Sequence, residues 1–483
     1  MSQSIITQIE VQGLFNRFSY KLPSTGDFSS AAILYGDNGV GKSTILRLVF
    51  HLLSASNNRG HRTALKNVAF KLLAVRLSTG VLFKAERLQV DESGGYSSGP
   101  LRLTIARDDV VKYEWIYNQD RDEHAVYFNS DMELVSPELD ISKFLISKSI
   151  NPETLSPSVL RRLSAQIRES AIDDGIKRGE RPYMEALKQL APTMFYVNAE
   201  RRLDSDAVAD PSDELELRRA ITHNEPKRIN DLVNRAREIA LSQAMISASR
   251  WVQRHAVQSA NQGSTNVHSV YANVLNHLSN DYHSAGRSRS RSSYNKLVEQ
   301  LKNIENRTRQ LEEYEIATAL DMSVFKASLL SDSNEQRELS SELIKPYIES
   351  VSSRLEALDE IYETLDRFVK NINSFLTGKR IVYKLTQGFS ILTETGKLEP
   401  SQLSSGEQQL ILMFCYALTA RDRPSVFMID EPEISLNVKW QRKLLQSLTE
   451  ITSGSDIQFI LASHSLELIS QHRHRVVKLE NSY

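Results

Sequence analysis

The sequence predicts an α/β protein with a mainly parallel sheet built from both ends of the chain, an antiparallel β-subdomain, and an inserted helical, coiled-coil-like hairpin. Three observations carry this prediction. Short apolar runs near both termini alternate with helical patterns, which is the order of a parallel sheet. Segments between Val68 and Tyr117 (FKLLAVRL, VLFKAERLQV, LRLTIA, KYEWIY) are separated by Gly, Ser and Asp turns, as in an antiparallel sheet. In the middle, Ile344, Ile348, Val351, Leu355, Leu358, Tyr362, Leu365, Val369, Ile372 and Leu376 alternate steps of four and three, a heptad seam.

Taken in order, Ile5 to Val11 and Ala31 to Tyr35 read as strands, and the second runs into a glycine-rich turn. Ser43 to Ala55 carries apolar residues at helical spacing and stops at Asn57, Asn58 and Gly60. Residues from Ser142 to Pro192 read as helical and charged, and Thr193 to Val197 as a further strand. A weaker seam through Tyr294, Leu297, Leu301, Ile304 and Leu311 precedes the stronger one. With Ser331 to Glu335 as the turn, the two seams predict an antiparallel helical hairpin; the alternative is a pair of amphipathic helices packed on the globular body. The run Ser284 to Ser293 (SAGRSRSRSS) reads as a surface loop whose arginines could meet phosphates. Beyond Gly378 come two strands (RIVYKL, FSILTE), a helix from Gly406, a strand Val426 to Asp430, a helix from Asn437 and a strand Phe459 to Ala462. The boundaries this implies are 1–204, 205–378 and 379–483, the first and last parts forming one domain around the insertion.

Composition narrows the class. With 40% hydrophobic and 25% charged residues in 483, the chain is ordinary globular material. Its 59 basic and 60 acidic residues nearly cancel, which speaks against a general nucleic-acid or membrane-surface binder. No stretch approaches the roughly 18 apolar residues of a membrane span, and the start lacks a secretory pattern, so a soluble cytoplasmic protein is expected. The single cysteine, Cys415, excludes internal disulfides, and its apolar neighbours place it in a core.

Four motifs carry chemistry. Gly36-Asp37-Asn38-Gly39-Val40-Gly41-Lys42-Ser43 fits the phosphate-loop pattern between a strand and a helix, making Asn38, Gly39, Gly41, Lys42, Ser43 and Thr44 candidate phosphate-binding positions. Glycines let backbone N–H groups turn inward, the helix start adds positive charge, Lys42 reaches the β- and γ-phosphates, and Ser43 ligates Mg2+. Ser425 to Glu431 is an apolar strand ending in two acids: Asp430 for the magnesium shell and Glu431 to polarise water. Alone, such a strand end is often a strand meeting solvent. Leu403-Ser404-Ser405-Gly406-Glu407-Gln408-Gln409 opens a helix with a hydroxyl and free N–H groups, which suits an arriving γ-phosphate. By itself it is also a plain cap, Ser405 with Gln408. His464 follows an apolar strand, where it could sense γ-phosphate, although lone histidines after strands are usually structural.

In this order, and with a long helical insertion, the motifs resemble the SMC, Rad50 and RecF class of ABC-type P-loop ATPases. More narrowly, Gly13 to Tyr20 (GLFNRFSY) and Asp430 to Gln441 (DEPEISLNVKWQ) resemble the ATPases of the overcoming-lysogenisation-defect group. That group includes ATPases of antiphage systems such as Septu, certain retrons and PARIS. The resemblance implies an ABC ATPase head, ATP and Mg2+ as cofactors, Glu431 and His464 as catalytic residues, and a dimer or larger even-numbered assembly. Ser405, Gly406 and Glu407 would then serve the ATP held by another subunit. Asn437 stands where many ABC proteins carry an aspartate, and no magnesium-contacting glutamine stands out between Ser43 and the insertion. Relatives with a fused nuclease carry a Toprim domain after the head. This sequence reaches Tyr483 soon after His464, so a nuclease or toxin effector is expected on a separate polypeptide, with a phage protein as trigger.

The leading expectation is therefore an antiphage ATPase that controls an effector. The alternative is a DNA repair or recombination ATPase that clamps nucleic acid. A transporter subunit fits less well, because its signature would follow the phosphate loop after a much shorter helical region. An assembly scaffold with slow turnover is the last alternative.

Overall fold

The computed structural model describes residues 5–56, 60–89, 95–96, 99–117, 179–198, 203–205, 226–264, 291–330, 334–434 and 436–481. The chain forms two units: Met1–Ala209 with Arg423–Ile434 and Gly454–Tyr483, and Asp210–Asp422 with Ser435–Ser453.

In the first unit, β1 (Ile6–Leu14) and β2 (Phe18–Leu22) form a hairpin, and β3 (Ala31–Tyr35) leads to α1 (Lys42–Leu53) and the short α2 (His61–Lys66). Next come β4 (Leu72–Leu77), β5 (Val81–Arg87), β6 (Leu101–Arg107) and β7 (Val110–Tyr117). Residues 179–190 are helical (α3), followed by β8 (Thr193–Val197) and β9 (Leu203–Ser205). In the second unit lie α4 (Pro226–Ser264), α5 (Arg291–Glu313), α6 (Ser323–Leu329), α7 (Asn334–Asn373), β10 (Lys379–Lys384), β11 (Gly388–Thr393), β12 (Gly396–Leu398), α8 (Ser405–Thr419) and, after a return through the first unit, α9 (Val438–Ile451). That return is β13 (Ser425–Asp430), and the chain closes in the first unit with β14 (Ile457–Ala462), α10 (Leu466–Gln471) and β15 (Val476–Lys478).

The first unit has two sheets. One is antiparallel, in the order β2-β1-β4-β5-β6-β7. Its strands alternate buried and less buried positions, as in the Val81–Arg87 segment, because one face packs inward. The other sheet has the order β15-β3-β14-β13-β8-β9, parallel except at β9. Its central strands β13 and β14 are buried along their whole length, the mark of a sheet covered on both faces. Phe195, Phe427 and Phe459 sit side by side across β8, β13 and β14, the first pair stacked at 4.3 Å between centroids. Helix α1 contributes Ile45, Leu46, Leu48, Val49, Phe50 and Leu52 to one core shared with both sheets. Gln458 ties the sheets together: its Oε1 accepts from Ile6 N at 2.7 Å, and its Nε2 donates to the carbonyls of Ile6 and Ser29.

In the second unit, α4 packs along α7, α8 and β11. Gly388 has φ +76° and passes so close that a Cβ there would lie 2.7 Å from Ser249 Oγ. That hydroxyl in turn accepts from Phe389 N at 3.0 Å. Asp422 gathers Trp251, Arg254 and His255 of α4. Asn373 pairs both its amide groups with the backbone of Ile381, fixing the end of α7 to β10.

The two seam helices lie against each other, but the antiparallel hairpin expectation needs correction. Arg307 pairs with Asp359 and the Tyr314 hydroxyl with Asp366, so partners advance together and α5 and α7 run parallel. The physical reason is the connection. After α5 the chain comes back alongside that helix, Leu320 N bonding Thr308 and Lys326 pairing with Glu305, before α7 starts at Asn334. In α7, Ile361 and Phe368 add a second buried row beside the heptad positions, and Phe375 is buried just past the helix end. The Ser142–Arg178 part of the helical prediction and Ser284–Ser290 lie outside the described residues, while Arg291 to Ser293 begin α5. Cys415 is fully buried in α8, which pushes its thiol pKa up. Among the described residues no helix is long and apolar enough to cross a membrane.

Candidate nucleotide-binding site

The phosphate loop spans the turn from β3 to α1, at the carboxyl end of a parallel strand, where α/β sheets open their ligand crevices. Backbone chemistry explains its residues. Gly39 and Gly41 hold φ +81° and +96°, a region that side-chain-bearing residues rarely adopt. At Gly41 space adds a second reason, since a Cβ would lie 2.6 Å from Leu14 Cδ2. The Tyr20 hydroxyl donates to the Val40 carbonyl at 2.9 Å and anchors the loop from β2. Asn38 and Gly39 are exposed at its tip, and Ser43 and Thr44 are half-buried in the first turn of α1.

Three predicted residues meet at this loop. Lys42 is buried, and its ammonium donates to the carbonyls of Gly36 (2.9 Å) and Asp37 (2.8 Å). Burial holds its pKa below the ordinary lysine range, opposed by Glu431, Asp430, Asp37 and Glu433, so the site is a positive centre ringed by acids. The Ser43 hydroxyl donates to Asp430 Oδ1 at 2.8 Å although 387 residues separate them. Burial raises the Asp430 pKa; hydrogen bonds from Ser43 and Tyr196 oppose that rise, and Glu431 and Glu433 add to it. A hydroxyl and a carboxylate oxygen this close fit Mg2+, which takes one or two protein oxygens and completes its shell with phosphate and water.

Glu431 and His464 stand at the ends of neighbouring parallel strands, where Asp430 pairs with Ala462. Glu431 has φ +47°, rare for a non-glycine residue, and its N–H donates to the Ala462 carbonyl at 2.8 Å. His464 is half-buried in the turn leading to α10.

Ser405, Gly406 and Glu407 lie in the second unit, at the start of α8. The cap is shifted by one residue from the Ser405–Gln408 alternative: the Ser404 hydroxyl accepts from Glu407 N, and Glu407 Oε2 accepts from Ser404 N at 2.8 Å. Ser405 is left half-buried, with no hydrogen bond to its hydroxyl among the described residues. Lys379 of β10 donates to both Glu407 oxygens, at 2.9 and 2.8 Å. Asn437 caps α9, accepting from Trp440 N at 3.0 Å.

Tyr196, Lys379 and Glu433 were not anticipated from sequence. Each acts through tertiary contact rather than a local pattern. For Glu433 the hint is a further acid two residues after Glu431 in the segment that follows β13.

A glycine loop between a parallel strand and a helix, with a buried lysine, a serine and an aspartate converging on it, is the arrangement of an ATP-binding site of the AAA and ABC type. The chain belongs to the family described as "AAA domain, putative AbiEii toxin, Type IV TA system", whose profile matches residues 208–470. Over 82 residues it is 33% identical to YejF, an uncharacterized ABC transporter ATP-binding protein of Escherichia coli (strain K12). It is 38% identical over 82 residues to ModC, the molybdenum import ATP-binding protein of the same strain. Each match covers 17% of this chain, and 15% and 22% of those proteins, so the chain spans less than a quarter of the curated relatives it matches. Among solved structures, the Smc head domain with an extended coiled coil bound to the C-terminal domain of ScpA, from Pyrococcus furiosus, overlaps at TM-score 0.32 and 13% identity, covering 99% of this chain and 94% of that one. The Smc head domain with a coiled coil and joint from Pyrococcus yayanosii overlaps at TM-score 0.30 and 15% identity, covering 97% and 94%.

Proposed function

We propose that the protein binds and hydrolyses ATP between two copies of itself, and that this cycle controls a separate nuclease or toxin effector in defence against phage. The observation that carries the catalytic part is the 2.8 Å approach of Ser43 to Asp430 beside the buried Lys42 ammonium. In this reading the loop N–H groups and Lys42 take the β- and γ-phosphates, and Ser43 and Asp430 would hold Mg2+, which would supply charge neutralisation for phosphoryl transfer. Glu431 accepts a proton from the attacking water and His464 lies against the γ-phosphate. The half-buried Ser405 and the buried Gly406, at the N-terminus of α8, serve the nucleotide of the other subunit.

The biological part is supported by the DEPEISLN segment from Asp430 to Asn437 and by a family named for the toxin of a toxin–antitoxin pair. A second reading, an SMC-like DNA repair ATPase, draws on the same motif order. The test is purification of the parental chain and of Glu431→Gln from the native host with ATP present, with mass spectrometry of what stays bound. A stoichiometric nuclease-like or toxin-like protein held by Glu431→Gln supports effector control. DNA and repair proteins instead, with hydrolysis that DNA stimulates and salt suppresses, would replace it by the second reading. Lys42→Ala should bind no ATP in either case; ATP binding by that variant would overturn the site.

A further inference from the structure

We infer that Glu433 is a positioning residue for hydrolysis: its carboxylate clamps the turn that bears His464 to the turn that bears Glu431. This rests on the catalytic reading above and assigns a role to a residue which that reading does not use.

The geometry is specific. One oxygen of Glu433, Oε1, accepts three hydrogen bonds: from Ser463 Oγ at 2.9 Å, His464 N at 2.8 Å and Ser465 N at 3.0 Å. The Ser463 oxygen also accepts from Ser465 N at 3.0 Å, and Ser463 is fully buried. Ser465 then caps α10 by accepting from Leu468 N. The turn on either side of His464 is thus fixed through one carboxylate, and the helix after it starts from the same point.

The other turn is fixed as firmly. Glu431 N donates to Ala462 O and Ile434 N to Glu431 O, closing Glu431-Pro432-Glu433-Ile434 around the unusual backbone of Glu431. Two links therefore join the turns, a backbone one at Glu431 and a side-chain one at Glu433. Only the second reaches the residue before, at and after His464. Three hydrogen bonds converge on the Glu433 oxygen from the residues before, at and after His464, so this link should dominate the placement of His464. Productive geometry is steep in distance: a displacement of about 1 Å can cost about a hundredfold in rate. Since Glu431 and His464 must face one γ-phosphate together, the residue that sets their spacing governs turnover without touching the nucleotide.

The test uses the full chain and MgATP. Glu433→Ala should lower kcat by about tenfold to a hundredfold while KM and the affinity for a non-hydrolysable analogue stay within about threefold. Glu433→Gln, which keeps one acceptor oxygen, should recover part of the loss. In a His464→Ala background, Glu433→Ala should add little, because both changes remove one arrangement. A kcat at the parental level, or losses that multiply independently with His464→Ala, would overturn the clamp. A fall in analogue affinity matching the fall in kcat would show a general structural role and would also overturn it. Should Glu433→Ala fail to fold, Ser463→Ala removes a single donor and should give a several-fold loss in kcat by the same route; full activity of that variant and of Glu433→Gln would sink the inference. A parental chain that binds ATP without hydrolysing it would instead defeat the catalytic reading itself.

Discussion

Lys379 and Glu407 show how a single contact shapes the start of a helix. Burial pushes the Glu407 carboxyl pKa up, but the Lys379 ammonium and the Ser404 hydroxyl and N–H outweigh it and hold it below the ordinary value of 4.5. A depressed carboxyl pKa contributes stability that is present above 4.5 and is lost as pH falls through the folded value. The pair is largely buried, so removing one partner leaves an uncompensated charge. Lys379→Ala should therefore destabilise the chain by about 2 kcal/mol near neutral pH. Urea unfolding of both proteins across a pH series checks this. Their difference should be constant at neutral pH and should shrink on acidification as Glu407 takes up its proton; a difference that stays the same on acidification would show that Lys379 stabilises by packing alone. Because Glu407 also closes the cap of α8 with Ser404, the same variant should weaken any nucleotide-dependent assembly that uses Ser405.

Among the elements, the turn from β3 into α1 has the least room for change. At Gly41 a methyl group would meet Leu14 at 2.6 Å and would also force a side-chain-bearing residue to φ +96°. Gly41→Ala should cost about 1–3 kcal/mol of stability and weaken ATP binding, whereas Gly26→Ala, with φ +70° but nothing within 4 Å, should affect stability alone. Calorimetric unfolding and nucleotide titration of both variants separate the two effects; equal nucleotide affinity in both would remove the steric argument. The elements also show what the sequence could reveal. Strands β4 to β8, β13 and β14 were legible because their apolar runs are bounded by turn residues. Hairpin strand β2 was not, because its turn places Phe15 and Asn16 at φ +55° and +58° instead of using a glycine pair. β15, with only Val476 and Val477 in three residues, is too short to show a period. Heptads reveal which face of a helix is buried but not the direction of its neighbour, so the parallel course of α5 and α7 had no signal. At the site, Lys42, Ser43 and Asp430 could be read from local motifs. Tyr196, Lys379 and Glu433 could not, because hydrogen-bond geometry between distant segments leaves no periodic trace.

For the whole molecule, the decisive question is whether one chain completes its own site. If Ser405 and Gly406 of one copy serve the nucleotide held by Lys42 of another, two defects on different chains need not fall in the same site. Lys42→Ala alone and Ser405→Arg alone each spoil both sites of a homodimer. In a mixed dimer, one site collects both defects and the other collects none. Random exchange of equal amounts makes about half of the dimers mixed, each with one intact site of two, so the mixture should regain about a quarter of parental hydrolysis if each site works independently. Titrating one inactive variant into the other at constant total protein, and following phosphate release, gives the result directly. Recovery that peaks at equal proportions requires completion between copies. A flat line, with subunit exchange shown independently by labelled chains, would mean that the sites either act only as a pair or are completed within one chain. Tandem-linked subunits carrying a single Ser405→Arg decide between these: loss of all hydrolysis marks paired action, whereas half the parental rate fits independent sites of either kind.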